Sequence, residues 1–499
     1  MLFTSVPFLL YFMPIVVLGY QLCGKIGRRA VIAWLGLASV VFYACWDPRF
    51  VVLLMGSIAV NFFCSRMIAG TATYFAKKCW MVAGITANLS ALCYYKYLFK
   101  LLGAFNALGM SHHLWTTVIL PLGISFFTFT QIAYLVDLAQ GQATPQSFPE
   151  YALFVTFFPH LIAGPILHHR EMMPQFSQNK QYRLHADDFF VGLSWFILGL
   201  AKKAIIADRL APTADFTFRH VSLLSPAEAW VGVLSYSFQL YFDFSGYSDM
   251  AIGLARMFSI QFPMNFNSPY KARNMIDFWA RWHMTLTRYL TLYLYDPITL
   301  TISRRRLAAG KKVSRKAQKT IPGFTAMVAT PMLATMFLAG IWHGAGLQFL
   351  IFGTLHGIYL SVNHAWRMFR GSHVVDRKPA LHTQLTSVLL TYACVLVGQV
   401  FFRADSTHDA IALLGALGGY HHRSGTSVLT QSLVILLGLI PVVWLAPNTQ
   451  EILGQVEPSL RRPRFGFGCT WSWAFALGLI FLGAILFISS SSTFLYFQF

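Results

Sequence analysis

The feature that most constrains this chain is the recurrence of apolar runs long enough to cross a bilayer, which takes about 20 helical residues. Such runs cover 2–22, 81–99, 117–138, 230–244, 323–342, 349–363, 387–402, 428–445 and 471–489, with shorter ones at 31–46, 50–63 and 190–200. Of 499 residues, 56% are hydrophobic and only 11% charged, a balance that cannot supply a water-facing surface. The expectation is an all-α polytopic membrane protein with roughly 10–12 membrane-embedded helices, tilted and re-entrant pieces included. Residues 1–499 read as a single integral membrane domain, with no soluble part large enough to fold alone.

The net charge of +20 would suggest nucleic acid as partner in a soluble protein. Here the basic residues lie between spans, so the positive-inside rule accounts for them and no nucleic-acid partner is expected. Lys25, Arg28 and Arg29 follow the first span and place the N-terminus outside. Arg304, Arg305, Arg306, Lys311, Lys312, Arg315, Lys316 and Lys319 mark a cytoplasmic loop, and Arg461, Arg462 and Arg464 mark another. One span follows the latter, so the C-terminus is expected outside as well. The first span has no basic n-region and is read as a retained helix, not a cleaved leader. Seven cysteines without a C-x-x-C pair imply neither a zinc site nor a disulfide framework. P-loop, dinucleotide and G-x-S-x-G patterns are missing from the sequence, so any chemistry must come from residues within the membrane region.

Ionisable groups in apolar segments are costly, so they pair, face a cavity or perform the function. The stretch Gln239 to Arg256 carries Asp243, Ser245, Tyr247, Asp249 and Arg256. It reads either as a structural ion-pair network between packed helices or as part of a site. After a turn-forming Asn265-Phe-Asn267-Ser-Pro269-Tyr270 comes Asp277-Phe-Trp279-Ala-Arg281-Trp282-His283, continuing to Arg288. Written as one helix, it puts Arg281 and Arg288 on a shared face with His283 turned away, an amphipathic segment suited to a membrane surface. Trp342-His343-Gly344 closes an apolar run, with His356 in the next. Histidine in this glycine-rich segment, Gly340 to Gly346, reads equally as a helix-packing site or as a proton-transfer group. Phe158-Pro159-His160 to Gly164-Pro165, followed by His168 and His169, is an apolar run with broken backbone, tolerated only against protein or water. Adjacent histidines lack helical i, i+4 spacing and show no partnered carboxylate, so no metal is expected there.

Together, residues 158–165, 244–256, 265–270, 277–287 and 340–346, with Phe401-Phe402-Arg403-Ala404, resemble the membrane-bound O-acyltransferase (MBOAT) family. The resemblance is to its bacterial branch, which acetylates alginate, cellulose or peptidoglycan and D-alanylates teichoic acid. It implies a ring of helices around a central funnel open to the outside, meeting a donor tunnel from the cytoplasm near His343. It makes His343 the catalytic histidine and His283 the second important one. Asp243, Ser245, Tyr247, Asp249, Asn267, Trp279, Arg281, Trp342 and His356 would support the tunnel. The chain departs from the family pattern at Ala280, where arginine is frequent, and over Thr291 to Ile298. The terminal Phe494-Leu-Tyr496-Phe-Gln-Phe499 resembles the branch's F-x-Y-x-x-F motif and makes Tyr496 an expected acyl carrier. As plain chemistry, the same aromatics would anchor the last helix at the interface.

The function implied is transfer of an acetyl group from a cytoplasmic thioester across the bacterial inner membrane, for O-acetylation of an exported polysaccharide, cellulose or alginate, in biofilm. Acetyl-CoA or acyl carrier protein would serve as donor substrate, with no tightly bound cofactor. An extracytoplasmic SGNH-type O-acetyltransferase, a polysaccharide synthase complex and membrane lipids would be the partners. The basic loop from Arg304 to Lys319 suits an acidic carrier protein, coenzyme A phosphates or anionic lipid. The alternatives are D-alanyl transfer by the same fold, lipid-directed acylation, and a transporter of a polar solute, for which internal repeats would be the usual sign.

Overall fold

The computed structural model describes residues 1–98, 102, 119–177, 182, 184–369, 380–419, 430–453, 470–488 and 494–495. Among the described residues there are helices and turns and no strand. That is the expected outcome in hydrocarbon, where a helix alone satisfies its backbone groups within one segment. Among the described residues, five helical stretches are long and apolar enough to cross a membrane: Phe8–Ile26, Arg49–Gly70, Ala186–Arg219, Ile321–His343 and Leu381–Arg403. Shorter apolar helices cover Ile124–Ala139, Thr407–Leu417, Ser432–Leu445 and Trp471–Leu486. The run expected at 230–244 lies inside a 32-residue helix, Pro226–Met257. Its start is fixed by a capping box, in which the Ser225 amide donates to Glu228 Oε2 (2.8 Å) and the Glu228 amide donates to Ser225 Oγ (3.4 Å).

The described chain forms two compact units. The first comprises Met1–Ile205, Phe244–Met264 and Thr449–Gln498; the second, Ile206–Asp243 and Asn265–Asn448.

In the first unit, the outward side of Phe8–Ile26 carries Leu10, Ile15, Leu18 and Leu22, each more than half exposed, a surface that suits lipid and not water. Its inward side packs Phe8 and Phe12 on Phe42 and Phe158. A glycine seam joins Ala186–Ala201 to the second half of Pro226–Met257. A Cβ on Gly192 would stand 2.6 Å from the Gly253 carbonyl oxygen, and one on Gly199 would stand 2.5 Å from that of Gly246. Small residues at such crossings let helix backbones touch. Charges close both ends of the seam: Arg256 Nη2 lies 2.7 Å from Asp188 Oδ1, and Lys202 Nζ lies 2.6 Å from Asp249 Oδ2. Thr449 Oγ1 donates to the same Asp249 oxygen (2.8 Å). Asp249 and Arg256 thus take the ion-pair role, each with a partner outside the stretch that carries them.

In the second unit, Thr330–His343 and Leu347–Phe369 form a tight helical hairpin. A Cβ on Gly340 would meet the Phe349 carbonyl oxygen at 2.4 Å, and one on Gly353 would meet the Met336 carbonyl oxygen at 2.3 Å. Residues 277–288 do not form the single amphipathic helix expected of them. One helix covers Met275–Trp279 and another Met284–Leu290, and His283 between them has left-handed backbone (φ 44°, ψ 54°). Its cause is local pairing of two loops: the Met284 amide donates to the Asn265 carbonyl and the Asn267 amide to the Arg281 carbonyl, both at 2.9 Å. Of the basic loop, Arg304, Arg305, Lys311, Lys312, Arg315, Lys316 and Lys319 are exposed. Arg461, Arg462, Arg464 and Tyr496 lie outside the described residues.

Candidate active site

His343 ends the Thr330–His343 helix, and Gly344 beyond it is extended (φ −172°, ψ 162°), so the histidine stands at the tip of the hairpin. Its side chain is buried. Phe402 and Phe352 present ring edges or faces to it at centroid distances of 5.0 and 5.8 Å, and Trp342 lies at 4.7 Å. Aromatic rings from three helices thus enclose the His343 imidazole.

Phe352 also contacts His356 (4.7 Å), so one phenyl ring links the two histidines. The Trp279 indole N–H donates to His356 Nδ1 (3.3 Å), which fixes the tautomer with the proton on Nε2. Gly398 makes room for that nitrogen, since a Cβ there would come within 2.5 Å of His356 Nε2.

His283 is buried at the junction of the paired loops. Asn265 Oδ1 accepts from the Thr285 amide (3.4 Å), from Thr285 Oγ1 (2.9 Å) and from His283 Nδ1 (2.9 Å). The backbone donor identifies the acceptor as oxygen, so His283 carries its proton on Nδ1 and its lone pair on Nε2. Burial lowers the pKa of this imidazole to about 3 and keeps it neutral. Arg281 Nε donates to Asp277 Oδ1 (2.7 Å) and Nη1 to the Asn267 carbonyl (3.2 Å). Asn448 Nδ2 donates to Asn267 Oδ1 (3.0 Å). The N-x-N and R-W-H segments therefore form one hydrogen-bonded structure.

Of the residues singled out from sequence, His343, Trp342, His356, Trp279, His283, Arg281, Asn267 and the buried Asp243 belong to the second unit. Ser245, Tyr247 and Asp249 belong to the first. Tyr247 is buried between Phe3 (4.8 Å) and Phe494 (4.6 Å), so the described part of the C-terminal aromatic motif packs onto its ring. The Ser245 hydroxyl makes no hydrogen bond among the described residues. A cavity of about 260 Å³ in the first unit, lined by Tyr20, Val31, Tyr182, His185 and Phe258 among others, includes none of these residues.

Phe352 and Asn265 touch these histidines though spacing did not assign them, and Phe402 was visible only as part of the F-F-R-A motif. The carboxylate absent from the reading of His168 and His169 is Asp137, some thirty positions upstream. Its Oδ2 lies 3.2 Å from His168 Nε2 and 2.8 Å from His169 Nε2.

The fold and these residues define a multi-pass helical membrane protein with buried histidines at a helix tip and a loop junction. The pattern of the membrane-bound O-acyltransferase family matches residues 105–313, a stretch that includes His283 and ends before His343. The peptidoglycan O-acetyltransferase of Helicobacter pylori is 40% identical over 446 residues, covering 84% of this chain and 80% of that protein. The probable alginate O-acetylase of Pseudomonas aeruginosa is 36% identical over 428 residues, covering 84% and 75%. The teichoic acid D-alanyltransferase of Streptococcus thermophilus is more distant, 25% identical over 306 residues, 56% of this chain and 68% of that protein. The chain belongs to the membrane-bound O-acyltransferase family and is an acyltransferase, which sets the transporter reading aside.

Proposed function

We propose that this protein transfers acetyl from a cytoplasmic thioester, acetyl-CoA or acyl carrier protein, toward an exported polysaccharide, with His343 as general base. The observation that carries the proposal is the placement of His343 at the hairpin tip, buried among Trp342, Phe352 and Phe402 beside an extended glycine. A thioester has a good leaving group, so positioning the acceptor and removing its proton suffices. His343 takes the proton of an acceptor hydroxyl as its oxygen attacks the thioester carbonyl. The tetrahedral intermediate expels the thiolate, which recovers the proton, and an ester remains. His283, neutral and oriented by Asn265, assists donor placement.

Acetyl is favoured over D-alanyl because the acetylating relatives match more of the chain at higher identity. The same relatives support a polysaccharide acceptor of the peptidoglycan or alginate kind, with cellulose as a further candidate. We place the protein in the inner membrane with both termini outside. Tyr496 is the proposed first acceptor, passing acetyl to an SGNH-type transferase that works with the polymer's synthase. The test is mass spectrometry of the protein after incubation with acetyl-CoA. A 42-Da addition on the C-terminal peptide, absent from Tyr496→Phe, supports the carrier; transfer to partner undiminished in Tyr496→Phe discards it.

A further inference from the structure

We propose that Asp137, His168 and His169 form a binding site for a transition-metal dication of the Zn²⁺ type, which clips the end of the Ile124–Ala139 helix to the chain after Gly164-Pro165. One Asp137 oxygen stands 3.2 and 2.8 Å from the two Nε2 atoms, and the three ligand atoms all lie within 4.8 Å of one another. Ligands about 2.0–2.1 Å from a tetrahedral Zn²⁺ stand roughly 3.3 Å apart, so the donors reach that arrangement with small movements.

Sequence position explains how adjacent histidines converge. His168 precedes the His169–Ser177 helix and His169 opens it, and their rings lie 4.4 Å apart at 33°. Tyr134 packs edge-on against His169 (5.5 Å) and is itself tied to the Thr144 carbonyl (3.2 Å), so one ligand is held from outside the cluster. Asp137 and His169 are buried, whereas the His168 side chain retains 13% exposure, leaving a side for water as a further ligand. Two imidazoles and one carboxylate suit zinc, iron or manganese better than magnesium or calcium, which prefer an all-oxygen shell. Arg170 Nε is 3.9 Å from the same carboxylate oxygen, but this half-exposed side chain turns its Nη2 to Gln142 Oε1 (2.6 Å). The clip would hold the irregular backbone of 162–168, between the Phe158–Leu161 and His169–Ser177 helices.

The full chain, purified in detergent with a tag free of histidine, would be loaded with Zn²⁺, freed of excess and analysed for metal. The expected result is about one tightly held ion per chain, lost in His169→Ala and in Asp137→Asn, and a thermal midpoint raised by Zn²⁺ in wild type alone. Co²⁺ loading should add a visible absorption band that a chelator removes. Wild-type protein that holds no more metal than His168→Ala/His169→Ala overturns the site, as does metal retained equally by every variant. Should the variants fail to fold, a wild-type protein with no Co²⁺ band and no Zn²⁺ response overturns it unaided.

Discussion

Along the glycine seam of the first unit, two charge pairs join the helices, buried Asp249 with Lys202 and the half-buried Arg256 with Asp188. At the hairpin of the second unit, His343 and His356 instead lie against Phe352, with Phe402 on His343 and Trp279 on His356. Both regions place polar groups in apolar sequence. A closed ion pair holds helices in register and has no proton to give at neutral pH. At the hairpin the imidazoles stand instead among aromatic rings, and His343 is the one proposed to take a proton from a hydroxyl. The difference separates residues that hold the fold from residues to which the proposed chemistry is assigned.

The comparison breaks most sharply at His343. His343→Gln should lower acyl transfer about 10²–10⁴-fold while leaving the thermal midpoint in detergent near that of wild type. Asp249→Ala should do the reverse. It leaves the partly exposed Lys202 without its partner, at a cost of up to about 3 kcal/mol, seen as a fall in thermal midpoint and in folded yield. Lys202→Met/Asp249→Leu should recover most of that stability; equal damage in the double variant would give Asp249 a role beyond pairing. Gly340→Leu, which drives a side chain into the Phe349 carbonyl, should cost about 1–3 kcal/mol and lower activity with stability.

Smaller effects sharpen the second region. Asn265→Ala removes the acceptor that fixes the His283 tautomer, and a loss of roughly tenfold in transfer is expected from misplacement alone. Wild-type thermal stability there would show that the paired backbone holds the loop without the side chain. His283 also carries a pH signature. Its folded pKa, about 3, lies below the ordinary histidine value, so protons bind the unfolded chain first. Its contribution is full above the unfolded value and is lost as pH falls toward 3; His283→Gln should flatten that part of the acid denaturation profile.

Much of the fold was legible because apolar run length is a direct physical requirement of the bilayer. The ion-paired nature of Asp249 and Arg256 was legible as a class, since lipid cannot solvate them, but their partners were not. Lys202 and Asp188 lie on another helix, and only the glycine seam brings that helix alongside. The break at His283 was hidden because a 3.6-residue pattern fits Arg281 and Arg288 whether or not the backbone turns between them. Asp137 went unseen for the same reason as Phe352: contacts made across the fold leave no spacing in the chain. His343 was singled out through the family resemblance of its W-H-G motif, while its aromatic surroundings come from three separate segments.

The most direct test is single-turnover transfer from radiolabelled acetyl-CoA in proteoliposomes, comparing wild type with His343→Ala at matched folded protein. Label should move onto the protein or an added acceptor with wild type and stay in acetyl-CoA with the variant. Equal transfer by both would contradict His343 as the base.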